Sequence, residues 1–143
     1  MNWMKIEISP RFYEVDSYNI VNNMYYLSWF EMGRFSIADK AGLITPRFME
    51  ENLAFLVLEA HIYYKKPVTF LDKIIIESVV SPPKASKLIF LHRIRIKKDN
   101  SISAEGKTIV VLTKKNKLLM KMPDWVEQRI MDYIKNVQGG FKE

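Results

Sequence analysis

The sequence contains no cysteine and only two histidines among its 143 residues. Without cysteine the chain can form no disulfide scaffold, no thiolate zinc site and no cysteine nucleophile, and two histidines argue against a zinc site made by the protein alone. No apolar run approaches the roughly 20 residues of a membrane-spanning helix, and the N-terminus shows no signal-peptide pattern. We therefore expect a cytoplasmic protein with no membrane span.

Acidic residues are scarce in one part of the chain. Between Lys84 and Met122 there are eleven lysines and arginines but only two acids, Asp99 and Glu105, which gives a local charge of +9, while the rest of the chain carries −3. Such a segment fits an anionic partner: nucleic acid, a membrane surface or a phosphorylated small molecule. Lysines that merely line exposed strands would give the same count. Nucleic acid is disfavoured because Phe90 is the only aromatic residue there besides His92.

Hydrophobic periodicity predicts a single α+β domain over residues 1–143, and a hydrophobic content of 48% can supply its core. Alternation predicts a first strand at Met4–Ile8, and β-rich segments predict four or five more, at 53–64, 71–81, 87–97, 103–113 and 118–122. Short turns between successive strands indicate an antiparallel sheet. A last helix is expected to begin with Pro123 at its first position, and its apolar stripe is formed by Trp125, Ile130, Tyr133, Ile134 and Val137.

One helix, predicted from Asn23 to Ala41, is apolar nearly all round, which favours a buried position with the sheet wrapped around it. Asn22 or Asn23 can cap its start, and Gly42 can end it. Gly33 costs about 1 kcal/mol relative to alanine in mid-helix, so we expect another backbone to approach closely there. A short helix is expected at 46–52.

Few side chains could carry chemistry, because the sequence has no G-x-S-x-G elbow, no phosphate-binding glycine loop and no metal-spaced cluster. We predict no metal and no cofactor. His92 lies on the apolar face of its strand, which favours a core histidine over a catalyst. His61 is given no role.

Asp16 lies between the first strand and the buried helix, and two roles are open to it. Its carboxylate can simply form a turn or a cap. Alternatively, the free N–H groups at the helix start can stabilise an oxyanion while the carboxylate activates water or attacks a carbonyl directly.

The segment 11–31 reads RFYEVDSYNIVNNMYYLSWFE. It resembles the pattern Asp-x-x-Gly-His-Val-Asn-Asn-x-x-Tyr-Leu-x-Trp-Phe-Glu of hotdog-fold acyl-CoA thioesterases, the 4-hydroxybenzoyl-CoA thioesterase-like and related acyl-ACP thioesterase groups. The matching residues are Asp16, Val21, Asn22, Asn23, Tyr26, Leu27, Trp29, Phe30 and Glu31. The segment 64–72 resembles the family's Tyr-x-x-Pro-x-x-x-x-Asp, and 104–123 resembles its last strands and closing proline.

Two positions depart from the family pattern. Asn19 replaces a glycine, and asparagine tolerates a left-handed backbone better than most residues, so the turn can survive. Ile20 replaces a histidine, so Asp16 would have to work with backbone donors alone.

The resemblance implies the hotdog fold, with five or six antiparallel strands around a long buried helix, and hydrolysis of acyl-CoA or acyl carrier protein thioesters at a dimer interface. By that resemblance Asp16 is the general base or the nucleophile, and the backbone N–H of Asn23 binds the thioester oxygen. Tyr26, Asn22 and Tyr18 are the implied substrate-binding residues, with plain packing an equal alternative for Tyr26. A non-catalytic protein that binds or senses acyl thioesters is the alternative function.

The resemblance also gives the basic segment a specific partner, because coenzyme A carries phosphates. The candidates to meet them are Arg93, Arg95, Lys97 and Lys98, with Lys84 and Lys87. Coenzyme A is then part of the substrate rather than a cofactor. A homodimer or homotetramer is expected.

Overall fold

Six strands form one antiparallel sheet in the computed structural model, which describes all of residues 1–143. They are β1 (Met4–Ile8), β2 (Leu53–Tyr64), β3 (Ile74–Val80), β4 (Lys87–Ile96), β5 (Ser101–Lys114) and the two-residue β6 (Lys117–Leu118). The order in the sheet is β1-β3-β4-β5-β2, with β6 paired to β5. Three α-helices complete the fold: α1 (Tyr25–Lys40), α2 (Pro46–Glu50) and α3 (Asp124–Tyr133). The predicted α+β class with an antiparallel sheet is confirmed.

β3 starts three residues later than predicted, because a turn occupies the first residues of the predicted strand. The Asp72 carboxylate accepts hydrogen bonds from the backbone N–H of Thr69 at 2.9 Å and from its hydroxyl at 3.1 Å, which closes a turn through Phe70 and Leu71. The strand expected at 118–122 is reduced to β6. Both errors arose from apolar residues that lie in turns.

The helix ends agree with the predicted signals to within two residues. α1 begins at Tyr25 rather than Asn23, and the Asn22 side chain accepts a hydrogen bond from the N–H of Met24 at 3.1 Å. Gly42 follows α1 with φ +80°, as expected of a helix-ending glycine. No helix combines the length and the apolar composition that crossing a bilayer requires.

The sheet packs against one side of α1. Tyr26, Trp29, Phe30, Gly33 and Ile37 form that buried side. A Cβ placed on Gly33 would lie 2.2 Å from the Ser78 hydroxyl oxygen of β3. The expected close approach is therefore real, but the prediction that a backbone makes it is wrong, since a side chain does.

The side of α1 that faces away from the sheet is exposed in the single chain. The expectation that the helix is buried on all sides is therefore wrong for one chain. Leu27 and Phe35 are 47% and 59% exposed. The sheet curves around only part of the helix, and no other element of the chain covers these residues. Large apolar side chains on an uncovered helix face are typical of interaction surfaces.

His92 is a core histidine, as predicted. Its ring stacks on Phe30 at a centroid distance of 4.4 Å, and its two nitrogens bond the hydroxyls of Ser78 at 2.7 Å and Thr108 at 2.9 Å. Burial lowers the pKa of His92 to about 3, with a further lowering from the charge of Arg34. The ring is therefore neutral at physiological pH.

The C-terminal helix carries only part of its predicted apolar stripe, because α3 passes into a π-helical turn at Ile134–Gln138. The wider turn leaves Val137 51% exposed, which corrects the prediction, and buries Gln138 instead. The Gln138 amide bonds both the N–H and the C=O of Val80, at 2.9 and 2.8 Å. It thus occupies the place of a neighbouring strand at the end of β3.

Candidate active site

Asp16 forms the turn that leads from β1 toward α1, and only one of its carboxylate oxygens is used in doing so. Oδ1 accepts hydrogen bonds from the N–H groups of Tyr18 at 2.9 Å and Ile20 at 3.3 Å. Oδ2 has no partner within the chain, and the residue is exposed. The turn-forming role is therefore present, and it leaves one oxygen available for chemistry.

Asn19 supplies the backbone shape that this turn needs. Its φ is +62°, so asparagine does adopt the left-handed conformation expected where the family has glycine. Its side-chain oxygen accepts a hydrogen bond from Phe70 N–H at 3.4 Å, and Ile20 and Val21 bond the segment that precedes β3, the latter through Val68 C=O at 2.8 Å. The Asp16 turn is thus fixed to the sheet.

The backbone N–H of Asn23 lies at the start of α1 and meets no acceptor within the chain. A free N–H at a helix start carries the positive end of the helix dipole. An antiparallel bridge between Val15 and Val21 brings the Asp16 strand back alongside the residues that lead into the helix. The predicted carboxylate and the predicted oxyanion donor therefore belong to one small loop.

The predicted substrate-binding residues have different surroundings. Tyr26 is buried, and its hydroxyl shares a 2.8 Å hydrogen bond with that of Ser103. Burial raises the pKa of its phenol, which the hydrogen bond to Ser103 partly offsets. Asn22 and Tyr18 are exposed beside the Asp16 turn. This favours packing for Tyr26, while substrate contact by the three residues stays a prediction.

Sequence reasoning missed Glu14, a buried carboxylate two residues before Asp16. Its Oε1 accepts a hydrogen bond from Arg11 N–H at 2.6 Å, and its Oε2 accepts one from the indole N–H of Trp29 on α1 at 3.2 Å. Its backbone carbonyl accepts another from Asn22 N–H at 2.8 Å. Glu14 therefore ties the Asp16 strand to α1. The sequence carries no capping-box signal for it, because the residue three positions earlier is an arginine and not a serine or threonine.

Four of the six candidate phosphate ligands are in ion pairs. Arg93 and Arg95 form ion pairs with the same buried carboxylate, Glu77, at nitrogen–oxygen distances of 3.2 and 2.5 Å. Lys97 pairs with Glu7, and Lys98 pairs with Asp72 at 3.1 Å. Phosphate binding by these four stays a prediction.

Lys98 lies at the same end of the sheet as the Asp16 turn, because Asp72 also bonds Thr69, which bridges to Ile20. Its side chain is 68% exposed, so the ammonium has donor capacity beyond that ion pair.

The other two candidates, Lys84 and Lys87, lie at the opposite end of the sheet with three further lysines. We call this group the lysine turns: Lys84, Lys87, Lys114, Lys115 and Lys117. The two turns are joined where Leu112 N–H donates to Ser86 C=O at 2.9 Å. None of the five ammonium groups has a carboxylate oxygen within 4.0 Å.

Residues 10–130 match the model of the thioesterase-like superfamily. The chain belongs to this superfamily.

Two curated thioesterases resemble it in sequence. The chloroplast acyl-acyl carrier protein thioesterase ATL3 of Arabidopsis thaliana is 21% identical over 131 residues, which is 92% of this chain and 69% of that protein. The putative acyl-CoA thioesterase YneP of Bacillus subtilis is 26% identical over 94 residues, 66% of this chain and 68% of that protein.

Solved structures confirm that this member of the superfamily has the hotdog fold. A 1,4-dihydroxy-2-naphthoyl-CoA thioesterase from Synechocystis superposes with a TM-score of 0.81 at 14% identity, covering 96% of this chain and 98% of that one. A Staphylococcus aureus protein in complex with CoA gives 0.85 at 14% identity, covering 99% and 94%. The arrangement of the long helix on the antiparallel sheet is therefore shared with these structures.

Proposed function

We propose that the protein hydrolyses acyl-CoA thioesters, with thioesters of an acyl carrier protein as the second substrate class to test. The coarser activity, thioester hydrolysis, follows from its superfamily. One observation supports this particular site: the loop that holds an unbonded carboxylate oxygen on Asp16 also holds an unbonded backbone N–H at Asn23.

In the proposed reaction the Asn23 N–H donates to the thioester carbonyl oxygen and stabilises the negative charge that develops there. Asp16 takes a proton from water, which attacks the carbonyl carbon. Alternatively, Asp16 attacks the carbon itself and water then opens the mixed anhydride. In both routes the C–S bond breaks, the thiolate leaves and takes up a proton, and the free acid forms. No histidine takes part.

For the carrier end of the substrate we propose electrostatic contacts to the phosphates of CoA. Lys97 and Lys98 are the candidates within the same chain, since Lys98 connects through Asp72 and Thr69 to the Asp16 turn. Arg93 and Arg95 must also neutralise Glu77, which is buried, so a phosphate would compete with an internal ion pair. Arg93 and Arg95 are therefore weaker candidates for phosphate ligands than Lys97 and Lys98.

We also propose a homodimer formed along β2, which could assemble further into a homotetramer. β2 pairs only with β5, so its other edge has unpaired backbone groups. Three of its apolar side chains, Leu56, Leu58 and Tyr63, are more than half exposed. Antiparallel pairing of two β2 strands would set the Leu53 end of one beside the Tyr64 end of the other. The lysine turns would then approach the partner's Asp16 turn.

The test is thiol release by the wild-type protein from a panel of aromatic and aliphatic acyl-CoAs, and from the same acyl groups on a carrier protein. Acyl-dephospho-CoA, which lacks the 3′-phosphate, reports the phosphate contact. We expect turnover by the wild type, with a higher KM for the dephospho esters than for the esters that carry the 3′-phosphate. In Lys98→Gln this difference in KM should disappear. The replacement of the family histidine by Ile20 favours one other candidate, a non-catalytic acyl-thioester binding protein, which predicts binding of these esters without turnover.

A further inference from the structure

An apolar cavity of about 210 Å³ lies between the second half of α1 and the sheet. It is larger than the roughly 150 Å³ cavity that suffices to hold a benzene molecule in a protein core. Fourteen of its sixteen lining residues are hydrophobic, among them Phe55 and Val57 of β2. Phe35, Val57 and Ile44 border it and are 43–59% exposed. The cavity can therefore be entered from the uncovered side of α1.

The two polar lining residues are Glu31 and Arg34, one helical turn apart. Arg34 is half-buried, yet no carboxylate oxygen lies within 4.0 Å of its guanidinium, which makes no hydrogen bond within the chain. Removal from water lowers the pKa of its guanidinium, which the charge of Glu31 partly offsets. A half-buried cation with up to five unused N–H donors is unfavourable unless an acceptor is provided.

Asn23, the proposed oxyanion donor, lies two residues before α1, and ideal helical spacing continued back to it puts it on the same face as Arg34. Asn23 and Arg34 are eleven residues apart, which is about three turns and about 16 Å along the axis. Leu27, between them on that face, is exposed. An extended acyl chain whose carbonyl lies at Asn23 could follow this face and end at Arg34.

We propose that the substrate's acyl group is an extended chain with an oxygen-bearing far end, and that Arg34 binds this oxygen. The inference rests on the proposed function. A hydroxyl fits better than a carboxylate, because it can accept from Arg34 while donating to Glu31. A carboxylate would add a second negative charge beside Glu31. A methyl end would leave the guanidinium without an acceptor.

The experiment compares thiol release from matched acyl-CoAs that end in a methyl, a hydroxyl or a carboxylate, in decanoyl, dodecanoyl and tetradecanoyl lengths. In the wild type we expect kcat/KM for one ω-hydroxy ester to exceed that of its methyl partner by about tenfold or more, as a hydrogen bond to a charged group can supply. Arg34→Met should abolish this preference, and Arg34→Lys should keep part of it. Lys40→Met, which removes an exposed cation of the same helix, should leave it unchanged.

Three outcomes would overturn the inference. The first is a wild type that prefers methyl ends or carboxylate ends at every chain length. The second is an Arg34→Met enzyme that keeps the hydroxyl preference. The third is an Arg34→Met protein that loses its oligomeric state while its selectivity is unchanged. The last result would make Arg34 a subunit-interface residue. Absence of thiol release from every ester would instead contradict the proposed function, so the two failures are distinguishable.

Discussion

The hydroxyl of Tyr64 donates a hydrogen bond to the backbone carbonyl of Asn23 at 3.0 Å. This contact ties the last residue of β2 to the start of α1, where the proposed oxyanion donor lies. The family-like segments 64–72 and 11–31 thus meet at this contact as well as at the Ile20–Thr69 bridge. The orientation of the backbone at Asn23 depends on the sheet as well as on the helix.

Tyr64→Phe is expected to lower kcat by about three- to tenfold, since one hydrogen bond contributes about 0.5–1.5 kcal/mol and Tyr64 is partly exposed. KM should change little, because the fold and the surrounding apolar contacts remain. Steady-state thiol release measures this. Tyr63→Phe is the matched control, as Tyr63 points to the other face of β2 and should show no effect. Equal losses in the two variants would refute a role for the Tyr64 contact.

His92 predicts a specific pH dependence of stability. Its pKa is about 3 in the folded protein and about 6.5 when exposed. Between these values the unfolded chain binds a proton that the folded chain does not. His92 therefore leaves stability intact above pH 6.5, and stability falls as pH drops below it, by up to about 1.4 kcal/mol per pH unit. Urea unfolding at pH 7, 6 and 5 measures the slope.

His92→Gln serves as the comparison for that slope. The variant should be less stable overall because it disturbs the bonds to Ser78 and Thr108, but it should lose less stability between pH 6.5 and 5 than the wild type. The acidic groups with lowered pKa values, such as Asp72, titrate below this window. Parallel pH profiles for the two proteins would show that His92 is not the titrating group.

Gln138→Ala should destabilise the fold by about 2–4 kcal/mol, because it leaves both the N–H and the C=O of buried Val80 without partners. Val137→Ala, at an exposed neighbouring position, should change stability by less than about 0.5 kcal/mol. Chemical denaturation gives both values, and hydrogen exchange should show faster exchange of the Val80 amide only in the first variant. Similar stability of the two variants would contradict the bridging role of Gln138.

Glu14→Gln should cost about 1–3 kcal/mol of stability, because a buried carboxylate that accepts two N–H bonds is replaced by an amide with one acceptor oxygen. Glu50→Gln, which changes an exposed carboxylate, is the control and should lie within about 0.5 kcal/mol of the wild type. Equal unfolding free energies for Glu14→Gln and the wild type would show that the tie between the Asp16 strand and α1 contributes little.

Sequence patterns correctly predicted the structural features that depend on local chemistry. Asn19 was expected to take the left-handed backbone of the family's glycine, and its φ of +62° confirms this. Likewise, the alternation of β4 put His92 on the buried face. These features depend on a residue and its near neighbours, so the pattern alone is sufficient.

Features that depend on distant partners could not be predicted in this way. Glu14 is buried because Trp29 supplies a donor fifteen residues later, and Arg93 and Arg95 alternate as exposed strand residues do although both meet Glu77 of the neighbouring strand. Val137 was placed in the core by a period of 3.6 residues that the π-helical turn interrupts.

The central claim is that Asp16 performs the chemistry, and Asp16→Asn tests it most directly. The amide keeps an acceptor for the N–H groups of Tyr18 and Ile20, so the turn should persist, but it can neither take a proton from water nor act as a nucleophile. Asp39→Asn, an exposed carboxylate on α1, is the matched control. We predict that thiol release from the best acyl-CoA of the panel falls at least about a hundredfold in Asp16→Asn and is unchanged in Asp39→Asn. A wild-type rate in a folded Asp16→Asn protein would contradict the account.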